Sequence, residues 1–338
     1  MKLASFATGP GQAKRVGALL ESSNATFLVD LAAAYAAYLW ERSPSVDAAD
    51  IARSRVPGDM RELIVVGDGR FEAPQQAFEH VRLLLQRGQS VEELQQQGLL
   101  FRTAAIHFLP VVPRPGKVIC AGVNYRSHAA EITDAGVAEK PPHPVGFAKF
   151  PSVLTGHEVA IEYPSSTRKL DYEGELAIVI GRPAHNLSRD GALGVVAGYT
   201  IFNDVSPRDI QFDEMDKGML LLGKNLDGCG PLGPYLVTSD EVPDPHALRL
   251  TTRVNGEIRQ QASTADLIFG CDELIEYWSQ VTLEPGDVIA TGTPGGVGIF
   301  MDPPERFLLR PGDVVEVEID GLGVLRNQIV ASTKQSAT

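Results

Sequence analysis

Cysteine is scarce in this sequence. Cys120, Cys229 and Cys271 are the only three in 338 residues. They are far apart and odd in number, and no CxxC pair occurs, so neither a disulfide framework nor a zinc knuckle is indicated. A reducing cytoplasm is the expected compartment. Positive charge is short as well. Lys and Arg number 30 against 43 Asp and Glu, a formal net charge of −13. That balance disfavours nucleic acid or an anionic membrane as partner, because both select a basic footprint. No apolar run approaches the roughly 18 residues of a membrane span. The opening "MKLASFATGPGQ" lacks the apolar core of a signal peptide.

Familiar catalytic signatures are also missing. There is no GxSxG, so a serine-hydrolase elbow is unsupported. "GHEVAI" holds His157 and Glu158, but Ile161 stands where a zincin needs its second histidine. "GTPGGVGIF" is glycine-rich, yet Asp302, Pro303 and Pro304 follow where a dinucleotide-binding helix would have to begin. A tight turn near a site is the better reading. What remains is an ordinary globular composition, 43% hydrophobic and 22% charged, on a chain long enough for a sizeable core.

Residues 1–112 read as a small α/β unit. "KLASFAT", "RVGALL" and "ATFLVDL" have strand character, whereas "LAAAYAAYLWER" and "APQQAFEHVRLLLQRG" read as helices. Pro110, Pro113 and Pro115 mark the expected boundary. Residues 113–338 then turn to strands and Gly/Pro turns, with "CDELIEYWSQ" the clearest helix. The fold class expected is α+β, its second domain β-rich rather than doubly wound.

The chemistry gathers at strand ends. In "LDYEGELAIVIG", Glu173 and Glu175 are two apart in a strand and project to one face, with Asp171 two further back. Like charges so placed repel unless they are solvated, protonated or shared by a cation. A solvated strand end is the simplest account of those residues alone. "YTIFNDVSPRDIQ" adds Asp204 at the end of another strand, with Arg208 and Gln211 beyond. Three carboxylates converging at strand ends suit a hard divalent ion, Mg²⁺ or Mn²⁺, with Ca²⁺ also of the right chemistry. In "GVNYRSHAAEI", His128 and Glu131 are three apart and would share a face of a short helix. Such a pair is either a general-base dyad or an exposed helix pair. Lys224, after the apolar run of "LLLGKNL", either snorkels to the surface or faces an anion.

Taken in order, "GVNYRSHAAE", "DYEGELAIVIG", "GYTIFNDVSPRDIQ", "LLGKN", "VNGEIRQ", "LIEYWSQVTLEPGDVIATGTPGGVG" and "PGDVVEVEIDGLGVLRNQ" resemble the fumarylacetoacetate hydrolase superfamily over about residues 115–330. The resemblance implies a mixed β-roll, commonly a homodimer, behind a variable N-terminal extension. It implies Glu173, Glu175 and Asp204 as metal ligands and His128 as base with Glu131 as its partner. Lys224 joins them as a catalytic contact to substrate, with Tyr125, Arg208, Gln211 and Thr293 at the substrate. Ala121 stands where some members place a fourth carboxylate. The implied reaction is hydrolysis of a carbon–carbon bond in a 1,3-dicarbonyl such as an acylpyruvate, with the dyad activating water. Decarboxylation of oxaloacetate or isomerisation of a 2-oxo acid on the same site is the alternative. A non-catalytic binding relative is a third reading, which the full residue set argues against. Residues 129–144, with Gly136 and three prolines, are expected to form a lid.

Overall fold

The computed structural model describes residues 1–22, 25–44, 47–132 and 140–332. The expected strands and helices of the first third form as Lys2–Ala7, Arg15–Ser22, Ala25–Asp30, Leu31–Arg42 and Glu72–Gln86. The first long helix is begun by Asp30, whose side chain accepts from the Ala33 N–H. The second closes at Gly88 in the left-handed region.

Two large sheets and a short two-stranded one, Leu170–Asp171 with Ser206–Pro207, organise the described residues. The larger runs, edge to edge, through Leu100–Arg102, Ala25–Asp30, Arg15–Ser22, Lys2–Ala7, Gly230–Thr238, Val196–Asn203, Gly174–Ile180, Val288–Ala290, Val118–Gly122 and Val145–Lys149. The N-terminal strands therefore continue the same sheet: Leu3 pairs with Leu236 across the expected boundary near residue 112. The smaller sheet runs Glu257–Ser263, Arg249–Val254, Val314–Ile319, Gly323–Val330 and Ile161–Glu162. Its first hairpin turns at Asn255–Gly256, both with positive φ, as a two-residue turn requires.

The unbroken apolar run of Gly174–Ile180 now has a cause, because this strand is buried on both faces. Ala177 and Val179 face a core shared with the N-terminal helices, including Leu31, Leu63 and Val81. Leu176, Ile178 and Ile180 face the opposite way, toward Leu274 of the Cys271–Trp278 helix and Val317 and Leu325 of the smaller sheet. The molecule is thus layered as helices, large sheet, then small sheet with one helix. At Gly174, between the two glutamates, the small sheet presses close: a Cβ there would collide with Thr252 Oγ1 and Val317. No helix of the described residues is long and apolar enough to cross a membrane.

Candidate active site

Register places the acids. Gly174 pairs with Asn203, so the strand carrying Glu175 and the one ending at Asn203–Asp204 deliver their carboxylates to one spot. The Asp204 N–H donates to the Glu173 carbonyl at 2.9 Å, and the Glu173 N–H to Asn203 Oδ1 at 3.0 Å. Glu173, Glu175 and Asp204 are all buried, and each offers an oxygen within 4.8 Å of the others. Asp171 is not part of this trio. It accepts from the Gly298 and Ile299 N–H groups and from Arg208 Nε at 2.8 Å, tying the loop after Thr293 to the site.

Buried cations answer most of this charge. Lys224 Nζ donates to Glu173 Oε2 at 2.7 Å, Asp204 Oδ2 at 2.8 Å and Ser206 Oγ at 2.7 Å. Lys149 Nζ donates to Asp204 Oδ1 at 2.5 Å, and Arg208 Nη1 lies 2.6 Å from Glu173 Oε1. The balance between the carboxylates is uneven. Burial works against Glu173, but Lys224 and Arg208 overcome it and hold that carboxyl well below the usual range. At Glu175, burial and then the Asp204 and Glu173 carboxylates push the carboxyl well above it. Glu175 accepts from the Gly292 N–H at 2.9 Å and forms no ion pair among the described residues. Asp171, Glu173, Glu175 and Asp204 thus face Lys149, Lys224 and Arg208, four acids to three cations. Glu175 is the acid left without a cationic partner. A buried, all-oxygen donor set with one uncompensated carboxylate fits a hard divalent ion.

The histidine and glutamate of the short helix are in contact. His128 and Glu131 share a face of the Arg126–Ile132 helix, with His128 Nδ1 2.9 Å from Glu131 Oε2. Glu131 is itself held by the Gly296 N–H at 2.6 Å. The turn before the helix is strained: Val123, β-branched, has φ +50°. Asn124 pins that turn. Its amide donates to the Phe269 and Thr291 carbonyls, and its oxygen accepts from the Phe269 N–H. Asn124→Ala should cost about 1–3 kcal/mol, since buried backbone partners lose their bonds. A thermal melt and kcat measured together check this, and an unchanged melting temperature would refute the pinning role.

His128, Glu173, Glu175, Arg208, Gln211, Lys224 and Thr293 all line one cavity of about 330 Å³, and Ala121 lies at its edge. Tyr125 does not line it. Its side chain is fully buried and its hydroxyl has no hydrogen-bond partner. The Thr293 hydroxyl donates to the Gly174 carbonyl and accepts from Gln260, which fixes the wall. All three N–H groups of Lys224 are engaged, so it serves as a buried counter-ion before it can serve a substrate. Arg208 retains one unpartnered nitrogen, Nη2. Lys149 is a site residue that the sequence motifs do not single out. Its local signal is weak: a lone lysine two residues after Phe147, on the same face of a largely exposed edge strand. Phe212 and Met215 are likewise outside the motifs, although they share the helical face of Arg208 and Gln211. The lid expected over 129–144 has its middle, 133–139, outside the described residues.

Residues 117–330 match the family described as fumarylacetoacetate (FAA) hydrolase C-terminal. Oxaloacetate tautomerase YisK of Bacillus subtilis is 40% identical over 277 residues, covering 81% of this chain and 87% of that protein. A mitochondrial oxaloacetate tautomerase of Homo sapiens is 44% identical over 226 residues, covering 67% and 70%. Among solved structures, a fumarylacetoacetate hydrolase from psychrophilic Exiguobacterium antarcticum superposes with a TM-score of 0.70 at 34% identity, covering 98% of this chain and 100% of that one.

Proposed function

Since this chain belongs to the fumarylacetoacetate hydrolase family, we propose that it interconverts the keto and enol forms of 2-oxo acids, with oxaloacetate the first to test. The observation that carries the reading is one cavity lined by His128, Glu173 and Glu175, with Asp204 buried behind the two glutamates and Glu131 behind the histidine. The names of the related tautomerases support isomerisation over carbon–carbon cleavage.

Each residue has a part in that chemistry. With Glu131 accepting from His128 Nδ1, Nε2 is left basic and free for the cavity. His128 Nε2 takes a proton from the carbon next to the 2-oxo group and returns one to the oxygen, or the reverse. The Gly296 N–H keeps Glu131 in place during the exchange. The amide NH₂ of Gln211, whose oxygen is spent on Arg208, is a donor for a substrate carboxylate. A divalent ion held by Glu173, Glu175 and Asp204 would polarise the 2-oxo carbonyl and acidify the adjacent hydrogens.

The second reading is hydrolysis of an acylpyruvate, in which the same dyad deprotonates water; the likeness to a fumarylacetoacetate hydrolase structure favours it. The two are separated by following ketonisation of enol-oxaloacetate in the ultraviolet beside release of pyruvate from acetylpyruvate. Rapid ketonisation with little pyruvate is expected. Rapid cleavage of acetylpyruvate without ketonisation would replace the first reading with the second.

A further inference from the structure

The cavity wall changes character along one helix. Arg208, Gln211, Phe212 and Met215 stand at i, i+3, i+4 and i+7 of Arg208–Asp216, one face, and all four line the cavity. The first turn offers a guanidinium and an amide, whereas the next offers a phenyl ring and a thioether. Phe300 and Leu220 extend the apolar side. Seven residues of helix span about 10 Å, long enough for a chain of several methylenes. The volume, about 330 Å³, lies at the lower end of the range of about 300–1,000 Å³ that holds drug-sized ligands.

Charge points the same way. Of the lysines and arginines among the described residues, Arg208 and Lys224 line the cavity. Lys224 has no unspent N–H, and Arg208 is spent on Asp171, Glu173 and Gln211 with its remaining nitrogen, Nη2, buried, so the described wall keeps no free cation for a second substrate carboxylate. Four carboxylates face three cations here. Glu131 beside His128 is a fifth, so even a divalent ion leaves no surplus positive charge for a second substrate carboxylate. A second carboxylate would go to an apolar wall at a desolvation cost.

We infer that the preferred substrates are 2-oxo monoacids whose remote end is apolar and seats against Phe212 and Met215, rather than four-carbon diacids. This rests on the 2-oxo acid reading above. It is tested by enzyme-catalysed deuterium uptake at the carbon next to the 2-oxo group, followed by NMR in D₂O. The panel is 2-oxobutanoate, 2-oxohexanoate, 2-oxooctanoate and oxaloacetate, with Mg²⁺ present. Lengthening the chain should raise kcat/KM by about 10-fold or more, the scale of apolar groups entering a fitted pocket, and carry it past oxaloacetate. Met215→Asp should erase most of the gain. Met215 is 53% exposed, so the variant should fold, and Met215→Ala gives a milder check in the same direction. Exchange on oxaloacetate with no gain from chain length would overturn the apolar arm and leave the chemistry standing. Exchange on none of the four would end the 2-oxo acid reading. Calorimetric titration of 2-oxooctanoate against oxaloacetate then decides the arm: tighter binding of the longer acid supports it, and equal or weaker binding overturns it.

Discussion

Exhaustive chelation should abolish turnover, and Mg²⁺ or Mn²⁺ should restore it. The expectation follows from the imbalance at the acid cluster. Glu173 and Asp204 have cationic partners at 2.5–2.8 Å, whereas Glu175 has the Gly292 N–H. A buried carboxylate without a counter-charge is costly, and a divalent ion is the natural remedy. The glutamates should therefore respond differently to neutral substitution. Glu173→Gln breaks buried pairs with Lys224 and Arg208 and leaves both cations under-compensated, a loss of about 3–5 kcal/mol in the metal-free protein. Glu175→Gln replaces a carboxyl that burial, Asp204 and Glu173 already push toward its neutral form in the metal-free protein. It should leave metal-free stability unchanged or slightly higher, while metal affinity by calorimetry falls. In the parent protein, an ion at 100 times its dissociation constant should add about 2.7 kcal/mol, and that increment should shrink in Glu175→Gln. Full activity in metal-free protein, or equal destabilisation by both substitutions, would mean the cluster is a closed salt-bridge network.

The acids are legible in the strand pattern. Period-2 spacing alone sets Glu173 and Glu175 on one face, and the break from apolar to acidic at Asn203–Asp204 marks a second strand end. Spacing of three likewise pairs His128 with Glu131. Partners that depend on register across the sheet are hidden. Lys149 lies 55 residues from the aspartate it neutralises, and Asp171 holds a loop 127 residues away. No local pattern encodes such distances. The expected boundary near residue 112 reflects proline content, a local signal, whereas the pairing of Leu3 with Leu236 is a long-range one. The motif puts Tyr125 at the substrate, yet its ring turns into the core because its neighbour Asn124 is bonded to Phe269 and Thr291.

His128→Ala should lower ketonisation by about 10²-fold or more, the usual scale of a general base, while leaving metal affinity unchanged. Its Nδ1 is committed to Glu131, and it donates no oxygen to the acid cluster. The same substitution separates reactions within the site. Hydrolysis of an acylpyruvate needs an activated water and should fall with it. Decarboxylation of oxaloacetate loses carbon dioxide without a base taking a carbon-bound proton, so it should fall far less. Glu131→Gln should follow in direction but by a smaller factor. A glutamine oxygen can still accept from the Gly296 N–H or from His128 Nδ1, and only the charge that favours the protonated imidazole is lost. The decisive measurement is the ratio of ketonisation to decarboxylation in each variant at saturating metal. Equal loss of both reactions in His128→Ala with metal retained would show that His128 protonates the enolate they share, and loss of metal as well would show that the histidine belongs to the ion's own shell.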